Sequence, residues 1–357
     1  MKRFLFTPLH PPVTAPIYSG ADIIDKLATP RFLKQFSAVC AVVDERVFEL
    51  YSQSILKHML AGVPVYLFPR GERHKSLARL QRLLSWLWEN EADRESLVLG
   101  IGGGVVTDIT GFVASCYMRG VAYVAVPTTL LAQIDAAIGG KNAVNLHNTK
   151  NVVGSFHAPR MVICDSRLLS SLRTVQIKQG LVEAIKVFSA SDRRLFAKHV
   201  PNLQFLIGRQ DLNHLIADAI NAKLAIVNAD PYEKGLRRVL NFGHTTGHAV
   251  EAVAGWSHGK SIAFGMLIAL TLSQLYSSLS QRDFNQMWSA IIAIYDHFDA
   301  AALDAELLWE KIKHDKKRSG KQINFVLLPR CGTHQIVPIS CAQFKRSLAE
   351  TRERISK

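Results

Sequence analysis

Three histidines in a glycine-marked segment carry the sharpest chemical pattern in the chain: Asn241-Phe-Gly-His244-Thr-Thr-Gly-His248-Ala-Val-Glu251, then His258-Gly259-Lys260. On a helix His244 and His248 lie four residues apart on one face, so spacing alone makes them the first choice of metal ligands. His258 completes a three-ligand set if a turn near Gly255-Trp256-Ser257 brings it back. Imidazole suits zinc, and a catalytic zinc keeps three protein ligands and one open position. A lone histidine is usually structural. Three beside glycines that leave room for a ligand point to a site.

Two glycine runs offer phosphate chemistry. Leu99-Gly-Ile-Gly102-Gly103-Gly104-Val-Val-Thr-Asp108 reads as a buried strand passing through three glycines into a helix, whose first N–H groups and positive dipole end suit a phosphate. It is not the Gly-x-Gly-x-x-Gly fingerprint, and a tight structural turn fits the run as well. Asp108 is either part of that site or a carboxylate compensating the helix dipole. In Asp135-Ala-Ala-Ile-Gly-Gly-Lys141-Asn-Ala-Val-Asn145, followed by Lys150-Asn151, the glycines and Lys141 form either a phosphate cradle or an exposed loop with a solvated lysine. Asn142 stands where a P-loop places Ser or Thr for magnesium, which argues against ATP hydrolysis. Glu183 and Lys186 are one helical turn apart. They make a common surface pair unless Glu183 reaches the histidines. Lys223, Arg237, Lys316 and Lys317 each read alone as solvated charges.

The elements that must position these residues change character along the chain. Ser37–Val43, Val63–Phe68, Ser96–Ile101, Val121–Val126 and Met161–Cys164 are β-branched runs, separated by amphipathic stretches such as Ser76–Trp88. That alternation predicts a parallel sheet covered on both faces. After about Leu168 the period is mostly helical as far as His297, with one late strand at Ile323–Leu328. The expected organisation is an α/β domain over residues 1–168 and a mainly helical domain over 169–357. The 357 residues are 48% hydrophobic, 8% aromatic and 20% charged, which excludes a disordered or low-complexity chain. A net charge of +14 fits anionic ligands, but the cations lie in motifs tens of residues apart rather than in a basic stripe with interleaved aromatics, so no nucleic-acid partner is expected. Five scattered cysteines without a Cys-x-x-Cys pair suggest reduced thiols and the cytoplasm. Prolines 8, 11 and 12 interrupt the short apolar start, and the longest apolar stretch, Ala263–Leu272, is about half a membrane span, so no secretion signal and no membrane partner are expected.

Taken together, the motifs resemble the 3-dehydroquinate synthases, sugar-phosphate cyclases of the shikimate pathway. The resemblance is carried, in order, by Gly102–Phe112, Tyr117–Gly120, Val126–Leu131, Ile134–Lys141, Lys150-Asn151, Glu183–Lys186, Gly235–Arg237, Leu240–Glu251, His258-Gly259 and Asp315–Lys317, from about Asp44 to Lys321. It implies a Rossmann-like NAD-binding domain, a helical domain holding zinc or cobalt, and a homodimer. The implied metal ligands are Glu183, His244 and His258, with His248 assigned to the substrate. Substrate contacts are implied for Asp135, Lys141, Asn151, Lys186, Lys223, Arg237, Asn241, His248 and Lys316, with Arg119 reaching the neighbouring subunit's site. NAD contacts are implied for Asp44, Glu72, Lys75, Gly102, Gly103, Gly104, Asp108, Thr128, Thr129, Lys150 and Ser171. The implied reaction of this carbon–oxygen lyase, in aromatic amino acid biosynthesis, converts 3-deoxy-D-arabino-heptulosonate 7-phosphate to 3-dehydroquinate and phosphate. It proceeds by transient oxidation with NAD, phosphate elimination, reduction and intramolecular aldol closure. The alternatives are cyclases making 2-deoxy-scyllo-inosose or an epi-valiolone, and metal-dependent polyol dehydrogenases of the same fold. Three departures stand out: Thr107 for a usual glycine, Ala136-Ala137 for two serines, and Lys260 for a usual glutamate. The last is expected to lower metal affinity by placing positive charge near the ion.

Overall fold

The structure, a computed structural model, describes residues 15–147, 149–208, 211–314, 318–319 and 322–356. Lys316 and Lys317, singled out above, lie outside them. The chain forms two compact units. The first runs to Pro127 and resumes over Gly140–Asp165; the second comprises Thr128–Gly139 and the chain from Ser166 onward. The sequence pattern gave no hint of the twelve-residue excursion Thr128–Gly139.

The first unit is built on a parallel sheet. Its strands are β1 (Ile17–Gly20), β2 (Val39–Asp44), β3 (Val65–Phe68), β4 (Leu97–Gly102), β5 (Ala122–Pro127) and β8 (Met161–Asp165), in the order β1-β8-β5-β4-β2-β3. Every strand pairing in it is parallel. Val42, Val43, Leu97, Leu99, Ile101, Val126 and Ile163 are wholly buried, as the continuous apolar runs require of a sheet covered on both faces. The order turns back between β2 and β4, and in such folds ligands bind beyond the carboxyl ends of the strands at that switch point. Asp44 and Gly102–Gly104 stand there.

Between β5 and β8 the chain forms an antiparallel hairpin, β6 (Lys141–Leu146) with β7 (Thr149–Phe156), where sequence reasoning placed a glycine-rich loop. Its pin is Asn142, whose Nδ2 donates to the carbonyls of His157 (2.8 Å) and Gly140 (3.0 Å). Tyr123 Oη donates to its Oδ1 at 3.3 Å. A Cβ on Gly111 would sit 2.0 Å from Asn142 Oδ1, so the glycine in the neighbouring helix makes the place for this amide. The residue that departs from a P-loop is therefore a structural lock.

The second unit is mainly helical, with helices Thr174–Ser191, Asn213–Ala229, His244–Ala254, His258–Tyr276, Gln281–Ile294 and Cys341–Ser356. Its small sheet joins β9 (Arg318–Ser319), β10 (Gln322–Leu327) and β11 (Gln335–Ile339) in the order β11-β10-β9. The helix His258–Tyr276 is buried almost all round, from Ile262 through Ser273, which marks it as the core of the unit. Among the described residues no helix is long and apolar enough to cross a membrane.

Candidate functional site

In the second unit, Glu183 and Lys186 lie one turn apart on the buried helix Thr174–Ser191 and are each 2% exposed. The helix that opens with His244 ends at Gly255, whose left-handed backbone (φ 66°, ψ 18°) reverses the chain and lets His258 begin the next helix. One donor atom each from Glu183, His244 and His258 lies within 4.8 Å of the others. Both imidazoles turn Nε2 toward Glu183 Oε1, at 3.5 Å from His244 and 3.7 Å from His258. Their other nitrogens are held by oxygen: His244 Nδ1 by the Phe242 carbonyl and His258 Nδ1 by Glu251 Oε2, both at 3.2 Å. Fixing the far nitrogen in this way is how metal-binding histidines are oriented. Neither Glu183 oxygen has a hydrogen bond of proper geometry, although Lys186 Nζ lies close to Oε2. A buried carboxylate with unused acceptor capacity beside two oriented imidazoles fits a divalent cation.

His248, the natural partner of His244 by spacing, stays outside this trio. Its ring centroid lies 5.2 Å from that of His244, nearer than the 6.0 Å between His244 and His258, but its donor atoms do not join the mutually close group. Helical spacing puts two side chains on one face but does not make their donor atoms converge. Glu183, sixty-one residues before His244 in the sequence, supplies the third donor of the trio instead.

Strong fields surround the trio. Burial alone would raise the Glu183 carboxyl, but the Lys186 ammonium, His244 and the neighbouring His258 imidazole outweigh it and bring it down to about 2. Burial and the Lys186 charge push His244 well below its ordinary value. Burial also opposes charge on His258, yet Glu183 and Glu251 overcome it and raise that imidazole to about 9. Asp135, on the single π-helical turn Ala132–Ala136, accepts from Lys186 Nζ at 3.2 Å and from Lys223 Nζ, which also reaches its carbonyl. The two ammonium groups overcome burial and hold Asp135 far below the usual carboxylate range. Arg237, 2% exposed, donates from Nη2 to the Gly139 carbonyl (3.0 Å) and from Nη1 to that of Pro231 (2.5 Å). Asn241 Nδ2 donates to Glu233 Oε1 at 2.6 Å. Sequence reasoning assigned no role to Glu233 or Glu251; each stood inside or beside a quoted motif, where only its tertiary partner marks it.

The first unit gathers a different set. Gly103 begins the helix Gly104–Cys116, and no side chain caps it. Thr107, the departure from glycine, turns its hydroxyl back onto the carbonyls of Gly104 (3.2 Å) and Gly103 (3.4 Å). Lys75, 3% exposed, donates to Asp108 Oδ2 and to Asn151 Oδ1, each at 2.5 Å. Glu72 Oε1 accepts from Asn145 Nδ2 at 2.9 Å. Asp44 Oδ1 caps the helix Glu45–Tyr51 through Arg46 N (2.9 Å) and Val47 N (3.2 Å). Lys141 opens β6 and Lys150 lies early in β7, both exposed. Arg119 is exposed at a left-handed backbone position (φ 66°). In the second unit's segments, Thr128 is buried, Thr129 Oγ1 accepts from Ala132 N (3.2 Å) and Ser171 is exposed.

Residues 65–179 match the model of the 3-dehydroquinate synthase N-terminal region and residues 180–318 that of its C-terminal region. A 3-dehydroquinate synthase of Thermoanaerobacter pseudethanolicus is 38% identical over 335 residues, covering 91% of this chain and 94% of that protein. Among solved structures, the 2-epi-5-epi-valiolone synthase of Streptomyces hygroscopicus subsp. jinggangensis 5008 with NAD+ and Zn2+ bound superposes with a TM-score of 0.88 at 24% identity, covering 98% of this chain and 100% of that one. A 2-deoxy-scyllo-inosose synthase complexed with carbaglucose-6-phosphate, NAD+ and Co2+ gives 0.84 at 25% identity, covering 94% and 96%. The two cyclases share the α/β-plus-helical fold. The chain belongs to the 3-dehydroquinate synthase family.

Proposed function

We propose that this chain converts 3-deoxy-D-arabino-heptulosonate 7-phosphate to 3-dehydroquinate and phosphate, as an NAD- and divalent-metal-dependent carbon–oxygen lyase. The observation that carries the reading is the convergence of Glu183, His244 and His258 within 4.8 Å beside the Asp135–Lys186–Lys223 ion network, in a chain of this family. Bound NAD would supply a reversible hydride acceptor, and a zinc or cobalt ion held by the trio would polarise the substrate's hydroxyls.

The protein's own groups supply binding and orientation. Arg237 is planar, buried and already anchored on two carbonyls, which suits recognition of the substrate carboxylate. Lys186 stays protonated between Glu183 and Asp135, and Asp135 stays ionised, so both remain fixed partners for substrate hydroxyls through neutral pH. The remaining substrate roles are proposed for Lys141, Asn151, Lys223, Asn241, His248 and Lys316. NAD is proposed to rest on Asp44, Glu72, Lys75, Gly102, Gly103, Gly104, Asp108, Thr128, Thr129, Lys150 and Ser171. The switch point between β2 and β4 and the uncapped helix after Gly103 support that placement.

We also propose a cytoplasmic homodimer in which exposed Arg119 reaches a second copy's site. The five free thiols suit a reducing compartment. Light scattering at twice 39.7 kDa supports the dimer, and a particle of one chain refutes it.

The activity is tested by phosphate release from the heptulosonate phosphate with NAD present. Release that stops with a chelator and returns with zinc or cobalt supports the reading. Equal or faster turnover of glucose 6-phosphate, which has no carboxylate for Arg237, overturns it in favour of another cyclase.

A further inference from the structure

We infer that Glu251 is a positioning residue for His258, and that the Lys260 ammonium, held on aromatic rings, leaves that carboxylate–imidazole pair undisturbed. The inference rests on the metal-site reading proposed above. Glu251 lies two turns after His244 on the same helix, so it shares the face that presents His244. Its Oε2 is 3.2 Å from His258 Nδ1, while the opposite nitrogen of that ring faces Glu183. A carboxylate on Nδ1 fixes the ring's rotation, keeps the proton on Nδ1 and strengthens Nε2 as a donor atom. The chain reversal at Gly255 sets His258 at the start of its helix, where its side chain is 28% exposed, against 12% for His244. His258 therefore depends on its hydrogen-bond partner more than His244 does.

Lys260 follows His258 by two residues, and its charge was expected to weaken metal binding. In the structure its Nζ sits 4.9 Å over the Trp256 ring and 5.9 Å over that of Phe298. These rings are braced in turn: Trp256 meets buried Phe264 edge-on at 5.6 Å, and Phe264 meets buried Phe298 at 5.7 Å. A cation on such a face is stabilised by about 0.5–2 kcal/mol, enough to give the flexible side chain a preferred place. The same contact ties the first turn of the His258 helix to Trp256, two residues before the ligand.

The test uses the full chain stripped of metal. Zinc affinity is measured by competition with a chromophoric chelator, and the geometry of the site by the visible absorption of the cobalt form. Glu251→Gln is expected to weaken zinc binding 10- to 100-fold and shift the cobalt bands, with partial rescue by Glu251→Asp. Lys260→Glu is expected to stay within about threefold of the parent, because a charge drawn onto the rings acts only weakly on the ion. Unchanged affinity and spectrum in Glu251→Gln overturn the inference. So does a loss that Glu251→Asp fails to rescue and that tracks a lowered melting temperature of the metal-free protein, since that is a structural effect. Tenfold tighter zinc binding by Lys260→Glu overturns the part concerning Lys260. If the parent chain binds no zinc, the metal-site reading itself has failed.

Discussion

Each unit buries a lysine against a carboxylate, and the two networks differ in what they leave unfinished. In the first unit Lys75 meets one carboxylate, Asp108, and one amide, Asn151. The buried ammonium there has its hydrogen-bond acceptors in place. In the second unit Lys186 and Lys223 face Asp135 and Glu183, and two imidazoles join them. The four formal charges cancel there, yet Glu183 Oε1 is buried without a hydrogen bond, and Oε2 meets only the Lys186 ammonium. A buried acceptor left open is costly unless a ligand completes it. A closed network holds a fold together; an open one of similar composition marks a place for a cation. A divalent ion would take the local balance to +2, matched to a substrate bearing carboxylate and phosphate.

This contrast can be broken at several points. The largest effect is expected at the open network: Glu183→Gln should cut phosphate release more than about a hundredfold, since a ligand should matter more than the groups that orient it. A variant within tenfold of the parent would show that Glu183 is no ligand. At the closed network, Lys75→Met removes the ammonium that Asp108 and Asn151 share, with an expected stability loss of about 1.5–3 kcal/mol in denaturant unfolding. An unchanged midpoint would show that the pair is no more than a surface contact.

A smaller effect separates the two imidazoles by pH. The folded His258 value of about 9 lies above the unfolded value of 6.5, so its contribution is complete below pH 6.5 and is lost as pH rises toward 9. His244 is depressed, so its contribution is present above pH 6.5 and is lost as pH falls below it. The melting temperature of the metal-free protein should therefore decline between pH 6.5 and 9, and His258→Asn should flatten that decline. With zinc present the trend should reverse over the same range, because the ion displaces the His258 proton. Parallel slopes for parent and variant would contradict the assignment.

How much of this was legible in the sequence depends on whether a feature is local. The strands β2, β4, β5 and β8 announce themselves because a sheet covered on both faces needs unbroken apolar runs, and each begins within about two residues of its expected place. The hairpin β6–β7 does not, because much of β7 is exposed and its residues follow no apolar alternation. The Gly-Gly-Lys run was legible as unusual but not as the entry to a hairpin pinned by Asn142. His244 and His258 were legible as a cluster, and so was the turn at Gly255 that joins them. Spacing alone favoured His248 over Glu183, because it sees one helix at a time. The bonds of Lys75 span 33 and 76 residues, and that of Lys223 to Asp135 spans 88; nothing local records them.

The central claim is that one carboxylate and two imidazoles form a single cation site. Anomalous scattering from zinc-loaded crystals tests it most directly. The account predicts one strong peak at about 2.0–2.2 Å from His244 Nε2, His258 Nε2 and a Glu183 oxygen. A peak held by His244 and His248 without Glu183, or none among these residues, would contradict it.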